Sequence, residues 1–578
     1  MNTLRLIRRS VPDISTLNNL HPLLARLFAA RGIQSPAEVE YGLNNLADVW
    51  RLKGIRSAAK ALQQALEENR SIIIIGDYDA DGATSTALAM RGLHAMGFRR
   101  LDYLIPNRFD YGYGLSPEIV DVAARSKPDL IITVDNGIAN NSGVARAREH
   151  GIDVIITDHH LPGPELPDAL AIVNPNQPGD DFPSKSLAGV GVMFYLLIAL
   201  RHMLQHSGVF RRANMTAPNL ARFLDLVALG TVADVVPLDN NNRILVEQGL
   251  RRIRAGQACP GIIALLKVAG KEPSTARSSD MGFIVGPRLN AAGRLEDMSF
   301  GIECLLTDDP AQAERHAVAL DNLNRERRQI EADMQQQALQ ICDQLALDEA
   351  ALPWGLALQH DTWHQGVVGL VASRIKERYH RPVIAFAAAD NETLKGSARS
   401  IPGLHMRDAL ERVHSRNPEM IDKFGGHAMA AGLSLPRHHF EAFRIAFDTA
   451  VREMLPREAL DPVVVSDGAL DVEELELHTA SLLQTCGPWG QAFPEPVFDG
   501  AFTIRERRVL KERHIKYTLS PGNGNRTVEA IVFNVDPLDW PEAGEALNIA
   551  YSLDINRFRG AESLQLMIHA RITPDEQE

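Results

Sequence analysis

Three aspartates lie within five residues at the end of an apolar run: IIIIGDYDADGATS, residues 72 to 85, presents Asp77, Asp79 and Asp81 between Gly76 and Gly82. Carboxylates this close repel one another, so such a loop needs a cation or basic partners. Two further apolar runs end in the same way. DLIITVDNG delivers Asp135, Asn136 and Gly137, and DVIITDHH delivers Asp158, His159 and His160. A fourth apolar stretch, FLDLVALGTVADVVPL, delivers Asp234. A lone acid after a strand is commonly a helix cap, and a lone histidine is commonly a surface or core residue. Four successive apolar segments with such endings are not explained that way. Mixed carboxylate and imidazole donors suit Mn2+ and tolerate Mg2+, whereas a catalytic zinc site carries fewer acids. The donors suffice for one ion or for two sharing Asp135, and two ions can clamp both the attacking and the leaving oxygen in phosphoryl transfer.

Rival motifs fail on their own terms. DYDADG opens like an EF-hand loop, but the twelfth position, which needs a bidentate Glu, is Leu88. A nucleotide P-loop needs a Lys before Ser or Thr, and here Gly82 is followed by Ala83 and Thr84. LAGVGVMF contains Gly-x-Gly, yet Phe194 stands at the third glycine place of a dinucleotide fingerprint.

The elements that must position these groups follow from the pattern. SIIIIG, DLIITVDNG and DVIITDHH read as buried parallel strands, each followed by helix-like sequence, which is the rhythm of a doubly wound α/β domain. From Asp308 to Leu347 a long charged helical pattern runs without Gly or Pro after Pro310, as expected of a helix connecting two bodies. A second α/β unit follows in GLALQH, GVVGLVASRIKERYH and RPVIAFAA. Beyond Asp461, the segments AFTIRERRVL, IKYTLS, TVEAIVF, ALNIAYSLDI and LQLMIHARI have the spacing of a small β-barrel. The expected parse is an N-terminal helical segment (1–50), a catalytic α/β domain (51–305), the connecting helix (306–347), a second α/β domain (348–458) and the barrel (461–578).

With 578 residues the chain exceeds one hydrophobic core. It carries a formal charge of −13, which argues against a generic nucleic-acid binder but not against a local basic face. Arg505, Arg507, Arg508, Lys511, Arg513 and Lys516 form one such segment, with Tyr517 and Phe558 as stacking surfaces. Arg325, Arg327 and Arg328 on the long helix read as a solvated face. Four scattered cysteines form no CxxC pair, which fits a reducing cytoplasm. No secretory leader and no membrane span of about 20 apolar residues is expected.

Together, GDYDADG, VDNG, TDHH and GTVADVVPL resemble the four motifs of the DHH phosphoesterase superfamily. IPNRFDYGYGL, LAGVGVMF and GPRLNAAGRLEDM resemble its RecJ branch. HQGVVGLVASRI, KGSARSIPGLHMRDAL and KFGGHAMAAGLSL are similar to the DHHA1 domain, and GPWGQAFPEPVF to an oligonucleotide-binding (OB) fold. The resemblance implies two α/β domains, DHH and DHHA1, joined by a long helix and followed by an OB-like β-barrel. It implies one metal position on Asp79, Asp135, His159 and Asp234, and a second on Asp77 and Asp135. Many superfamily members place a histidine just ahead of the first aspartates, where this chain has Ile72 to Ile75. By the same resemblance Asp81 orients the loop, Asp158 orients the histidines, and His160 contacts the scissile phosphate or protonates a leaving oxygen. Phosphate contacts are expected from Arg288, Arg374 and Arg399, with Asn290, Ser373, Ser397 and His427 beside them. Arg108 is expected to recognise a 5′ phosphate and Tyr113 to stack on a base.

The activity so implied is 5′→3′ hydrolysis of single-stranded DNA to 5′-mononucleotides in recombination and repair. A monomer is expected, working with a single-strand-binding protein and a helicase. One alternative is a DHH phosphodiesterase of short oligonucleotides or cyclic dinucleotides, which needs little beyond the two α/β domains. Another is a non-catalytic DNA-binding scaffold, which would be expected to have lost ligands.

Overall fold

Runs rich in Ile, Val and Thr favour extended backbone. In the computed structural model of the protein, which describes residues 4–107, 114–348, 352–522, 526–558 and 560–573, such runs form the sheet that carries the acids. Ile72–Gly76, Leu130–Val134 and Asp153–Thr157 are neighbours in a five-stranded parallel sheet, with Leu101–Leu104 and Ala171–Val173 at its edges. Alternation divides each strand between two cores. Ile72 and Ile74 pack with the helices Ile55–Glu67, Ala80–Ala95 and Gly189–His206, while Ile73 and Ile75 pack with Pro117–Ala124 and Asn141–Glu149. Both faces are covered, as a parallel sheet requires.

The fourth apolar stretch is not a strand. Leu224–Ala233 is a helix with Asp234 at its C-cap. It packs between the helices Ala80–Ala95, Gly189–His206 and Asn240–Arg254, so it is apolar all round and shows no helical stripe.

The 39-residue helix Pro310–Asp348 is about 58 Å long at 1.5 Å per residue. Ala317 and Leu320 belong to the catalytic core, whereas Met334, Ala338 and Cys342 belong to the core beneath the second sheet. That sheet runs in the order Lys423–Gly426, Ala430–Pro436, Thr393–Arg399, Val383–Ala388, Leu356–Gln359. The C-terminal barrel closes from Phe498–Leu510 through His514–Pro521, Val528–Phe533, Ala561–Arg571 and Ala546–Phe558.

The N-terminal segment differs from its helical expectation. It opens with a strand, Arg5–Arg8, that pairs in parallel with Val463–Ser466, and Pro22–Ala29 follows as its α-helix. Arg31 then pairs with Asp467 at 2.8 Å. The C-terminal part is joined to the catalytic body by more than this strand. Phe28 contacts the rings of Trp489 and Phe493, Leu238 N–H donates to the Gln491 carbonyl at 2.8 Å, and Leu475, Ala480 and Leu483 share the catalytic core. Among the described residues, no helix is long and apolar enough to cross a membrane.

Candidate active site

Strand register alone brings the acids to one edge. Gly76 lies opposite Val134, and Val134 opposite Thr157, so Asp77, Asp135 and Asp158 each follow directly at the same level of three adjacent strands. The chain reverses its direction of winding between Ile72–Gly76 and Leu130–Val134, and the crevice at such a switch point is where open α/β sheets bind ligands. Asp135 holds φ at +62°, a left-handed conformation that is strained for a side chain. Asp79 caps the helix Ala80–Ala95, accepting from the N–H groups of Asp81 (2.9 Å) and Gly82 (3.0 Å).

Among the described residues, three groups of ligand atoms, each within 4.8 Å of one another, result: Asp77, Asp79 and Asp135; Asp135, His159 and His160; and Asp81, His159 and Asp234. Asp79, Asp135, His159 and Asp234, read as one ligand set, are spread over these overlapping groups. His159 Nε2 lies 3.1 Å from Asp135 Oδ1 and 3.4 Å from Asp234 Oδ2, buried and without a hydrogen-bond partner. The Leu187 carbonyl accepts a hydrogen bond from the same ring. A proton on Nδ1 then leaves Nε2 as a lone-pair donor facing carboxylates. Lone pair against carboxylate is repulsive unless a cation lies between them, and a carboxylate-imidazole set of this kind fits a hard divalent ion.

Asp81, expected to orient the loop, and several residues without an expected role hold this arrangement. Asp81 is fully buried and accepts from Gly189 N–H (2.6 Å) and Val190 N–H (2.9 Å) at the start of the helix Gly189–His206, so LAGVGVMF anchors the acid loop. Gly189 must be glycine: a Cβ there would stand 2.7 Å from Asp135 Oδ1. Asn136 Nδ2 donates to the carbonyls of Ile75 and Val134, both at 3.0 Å, stitching the two strand ends together. Asn174 and Asn176 hold the carbonyls of His160 (2.9 Å) and His159 (2.6 Å). Their signal was VNPNQ after an apolar run, the same placement that marked the acids.

Burial and like charge shape the protonation. Burial, then the charges of Asp81 and Asp79, push Asp135 well above the usual carboxylate range, and Asp234 is raised by the same causes. Burial followed by Asp79 lifts Asp81 to about 7. Burial and the nearby His160 lower His159 to about 4, so it is neutral. Burial alone would lower His160, but Asp158 Oδ1, 2.7 Å from Nδ1, outweighs it and raises that histidine to about 9. Asp158 also accepts from the N–H groups of His159, His160 and Ile138.

The expected substrate residues divide. Asn290 Oδ1 accepts from Ala80 N–H at 2.7 Å and so supports the acid loop. Arg288 is buried against Asp321 (2.8 Å), and Arg374 pairs with Glu331 (2.8 Å) and Glu377 (3.2 Å), so neither guanidinium is simply presented to solvent. Ser373, Ser397 and Arg399 gather at Gly369: Ser373 Oγ donates to its carbonyl, and a Cβ on Gly369 would lie 2.8 Å from Ser397 Oγ and 2.9 Å from Arg399 Nη2. Among the described residues no carboxylate pairs with Arg399. His427 lies within reach of His160, whose charge, after burial, lowers it. Arg108 and Tyr113 lie outside the described residues.

Three expectations about cations and rings are corrected. Arg327 is not on a solvated face; it is buried between Asn324 (2.9 Å) and Glu331 (2.7 Å). Tyr517 is no stacking surface, because it alternates with Ile515 and Leu519 into the barrel core, whereas Phe558 is 63% exposed. Of the basic segment, Arg507 pairs with Glu542 (2.7 Å) and Lys516 with Glu529 (2.8 Å), while Arg508, Lys511 and Arg513 are exposed.

Comparison with known proteins gives this geometry its relatives. The N-terminal domain of the DHH family matches residues 71–231, the DHHA1 domain 352–453 and the RecJ OB domain 466–570. The single-stranded-DNA-specific exonuclease RecJ of Salmonella typhimurium is 54% identical over 98% of both chains, and that of Escherichia coli K12 is 53% identical over the same shares. A crystal structure of RecJ from Thermus thermophilus in complex with Mn2+ aligns with a TM-score of 0.81 at 31% identity, covering all of this chain and 80% of that one. A second, in complex with Mg2+, aligns at 0.75. Shared sequence along 98% of both chains, and not a shared catalytic domain alone, makes this protein a member of the RecJ family.

Proposed function

We propose that the protein is a metal-dependent exonuclease that hydrolyses single-stranded DNA from its 5′ end and releases 5′-mononucleotides. The observation that carries the reading is the in-register edge of Asp77, Asp135 and Asp158, closed by His159 and Asp234. Relatives named as single-stranded-DNA-specific exonucleases, matched over nearly their whole length, support the substrate and rank it above short oligonucleotides or cyclic dinucleotides. The complete donor set argues against a non-catalytic scaffold.

Asp79, Asp135, His159 and Asp234 would hold one Mn2+ or Mg2+, and Asp77 with Asp135 a second. Bound there, a divalent ion supplies Lewis-acid activation of water and charge neutralisation at the phosphate. Hydrolysis joins a water oxygen to the first internucleotide phosphorus and breaks its bond to the 3′ oxygen of the terminal nucleotide. His160, kept protonated by Asp158, is the acid for that oxygen. Arg399, with no acid partner among the described residues, and Ser373 and Ser397 beside it suit the terminal phosphate, and His427, in the same domain, lies within reach of His160. A single-strand-binding protein and a helicase are the partners this reading would call on. The test is digestion of linear and circular single strands and blunt duplex. Only the linear strand should be degraded, and efficient digestion of the circle would overturn an end-dependent mechanism.

A further inference from the structure

Two cavities flank one exposed aromatic side chain. Phe283 is 78% exposed on a single π-helical turn, Met281–Val285, just ahead of the helix Gly286–Leu295 that supports the acid loop through Asn290. Isolated π-turns are rare and recur at functional sites. On one side Phe283 borders a cavity of about 460 Å³ walled by Arg294, Arg327, Arg328 and Arg374, four guanidinium groups against the single carboxylate of Glu331, which pairs with Arg327 and Arg374. On the other it borders a cavity of about 330 Å³, largely apolar, whose walls include Val232, Val235, Val236, Pro488 and Trp489. Val235, next to Asp234, holds φ at +63°, a conformation a β-branched residue rarely adopts.

A ligand that spans this ridge must be anionic on one side and flat and apolar on the other. A single strand of nucleic acid meets both demands with its phosphates and its bases. We propose that the cavity beside Trp489 is a nucleobase subsite and that Phe283 stacks on a base of the substrate strand while the neighbouring phosphates cross the arginine-walled cavity. This rests on the exonuclease reading and adds to it a physical reason for single-strand preference. A base can enter only when unpaired, because a complementary strand would occupy the edge that must pass Phe283. Ser279 and Gln491 in its lining offer side-chain hydrogen bonds to base edges without selecting one base.

The experiment places 2-aminopurine at successive positions of a single strand and binds it to the full-length protein in EDTA, so that no cleavage is needed. The expected result is quenching at one position, lost in Phe283→Ala and kept in Phe283→Trp. With Mn2+ present, Phe283→Ala should raise KM about 5- to 150-fold, the range for losing one stacked base, with a smaller change in kcat. An abasic residue at the quenched position should raise the wild-type KM by the same factor and have no further effect in Phe283→Ala. An unchanged KM in Phe283→Ala, or an abasic effect that persists in it, would overturn the subsite while leaving the nuclease reading intact. Phe283-dependent quenching of free 2-aminopurine deoxyribonucleotide, with none in the strand, would overturn it too by giving the cavity to the product. Failure of the wild type to cleave at all would strike the nuclease reading, and the quenching would still decide the subsite.

Discussion

Asp135 is the residue on which the site turns, because it belongs to two of the three donor groups and stands on strained backbone. Its carboxyl is raised in the folded state, first by burial and then by Asp81 and Asp79. A raised acid contributes stability that is fully present below its unfolded value of 3.8 and is lost as pH rises through the folded value. The metal-free protein should therefore lose stability from pH 4 upward, and Mn2+ should restore it. Asp135→Asn should stabilise the metal-free protein at pH 7 by about 1–3 kcal/mol, remove the Mn2+-dependent rise in Tm and abolish cleavage. Thermal melts with and without Mn2+ check this, and a variant with wild-type metal response would contradict it. His160 runs the other way, since Asp158 raises it to about 9 against the effect of burial. Asp158→Asn should let it fall toward the ordinary value, move the alkaline limb of the pH–rate profile to lower pH and slow cleavage about 10²–10⁴-fold. A profile unchanged in shape would remove His160 as the acid.

Among the elements, the long helix has the least expected role. Besides joining two cores, it carries Asp321 and Glu331, which fix Arg288, Arg327 and Arg374. Glu331→Ala would leave Arg327 buried beside no carboxylate, so a loss of about 3–5 kcal/mol is expected, and Glu331→Gln should lose less. Equal stability of the Ala variant and wild type in urea titrations would contradict the pairing. The sequence revealed the strands because β-branched runs ending in acids have one physical reading in a parallel sheet. It hid Asp234's helix, because Leu224–Ala233 is buried on every side and a ten-residue apolar run looks alike in either conformation. Arg327 was hidden by a charged surrounding pattern that does not tell which face meets the second domain. Tyr517 was legible after all: the period of two that made IKYTLS a strand also sends Ile515, Tyr517 and Leu519 inward together. The strand pair Arg5–Arg8 with Val463–Ser466 spans more than 450 residues, a separation at which no local pattern gives register.

In the molecule as a whole, the C-terminal part is built into the catalytic body, which changes how it can be tested. Cutting near Asp461 would remove the strand paired with Arg5–Arg8 and uncover Phe28 and Leu238, so the 1–460 fragment should bind a hydrophobic dye and aggregate. A soluble, dye-silent fragment with wild-type cleavage of short strands would contradict the shared core. The barrel's share in DNA binding is better probed in the full chain with Arg508, Lys511 and Arg513 changed to Gln. Each cation that grips a phosphate should, once replaced, lower the salt slope of single-strand binding by about 0.7. The activity proposed for the acid edge and the barrel runs in one direction, from the 5′ end. The most direct test is to digest a single strand labelled at its 5′ end, and in parallel one labelled at its 3′ end, with purified protein and Mn2+ or EDTA. With Mn2+, the 5′ label should appear at once as a mononucleotide while the 3′-labelled strand shortens gradually, and EDTA should stop both. Immediate mononucleotide release from the 3′ end, or undiminished release in EDTA, would contradict the account.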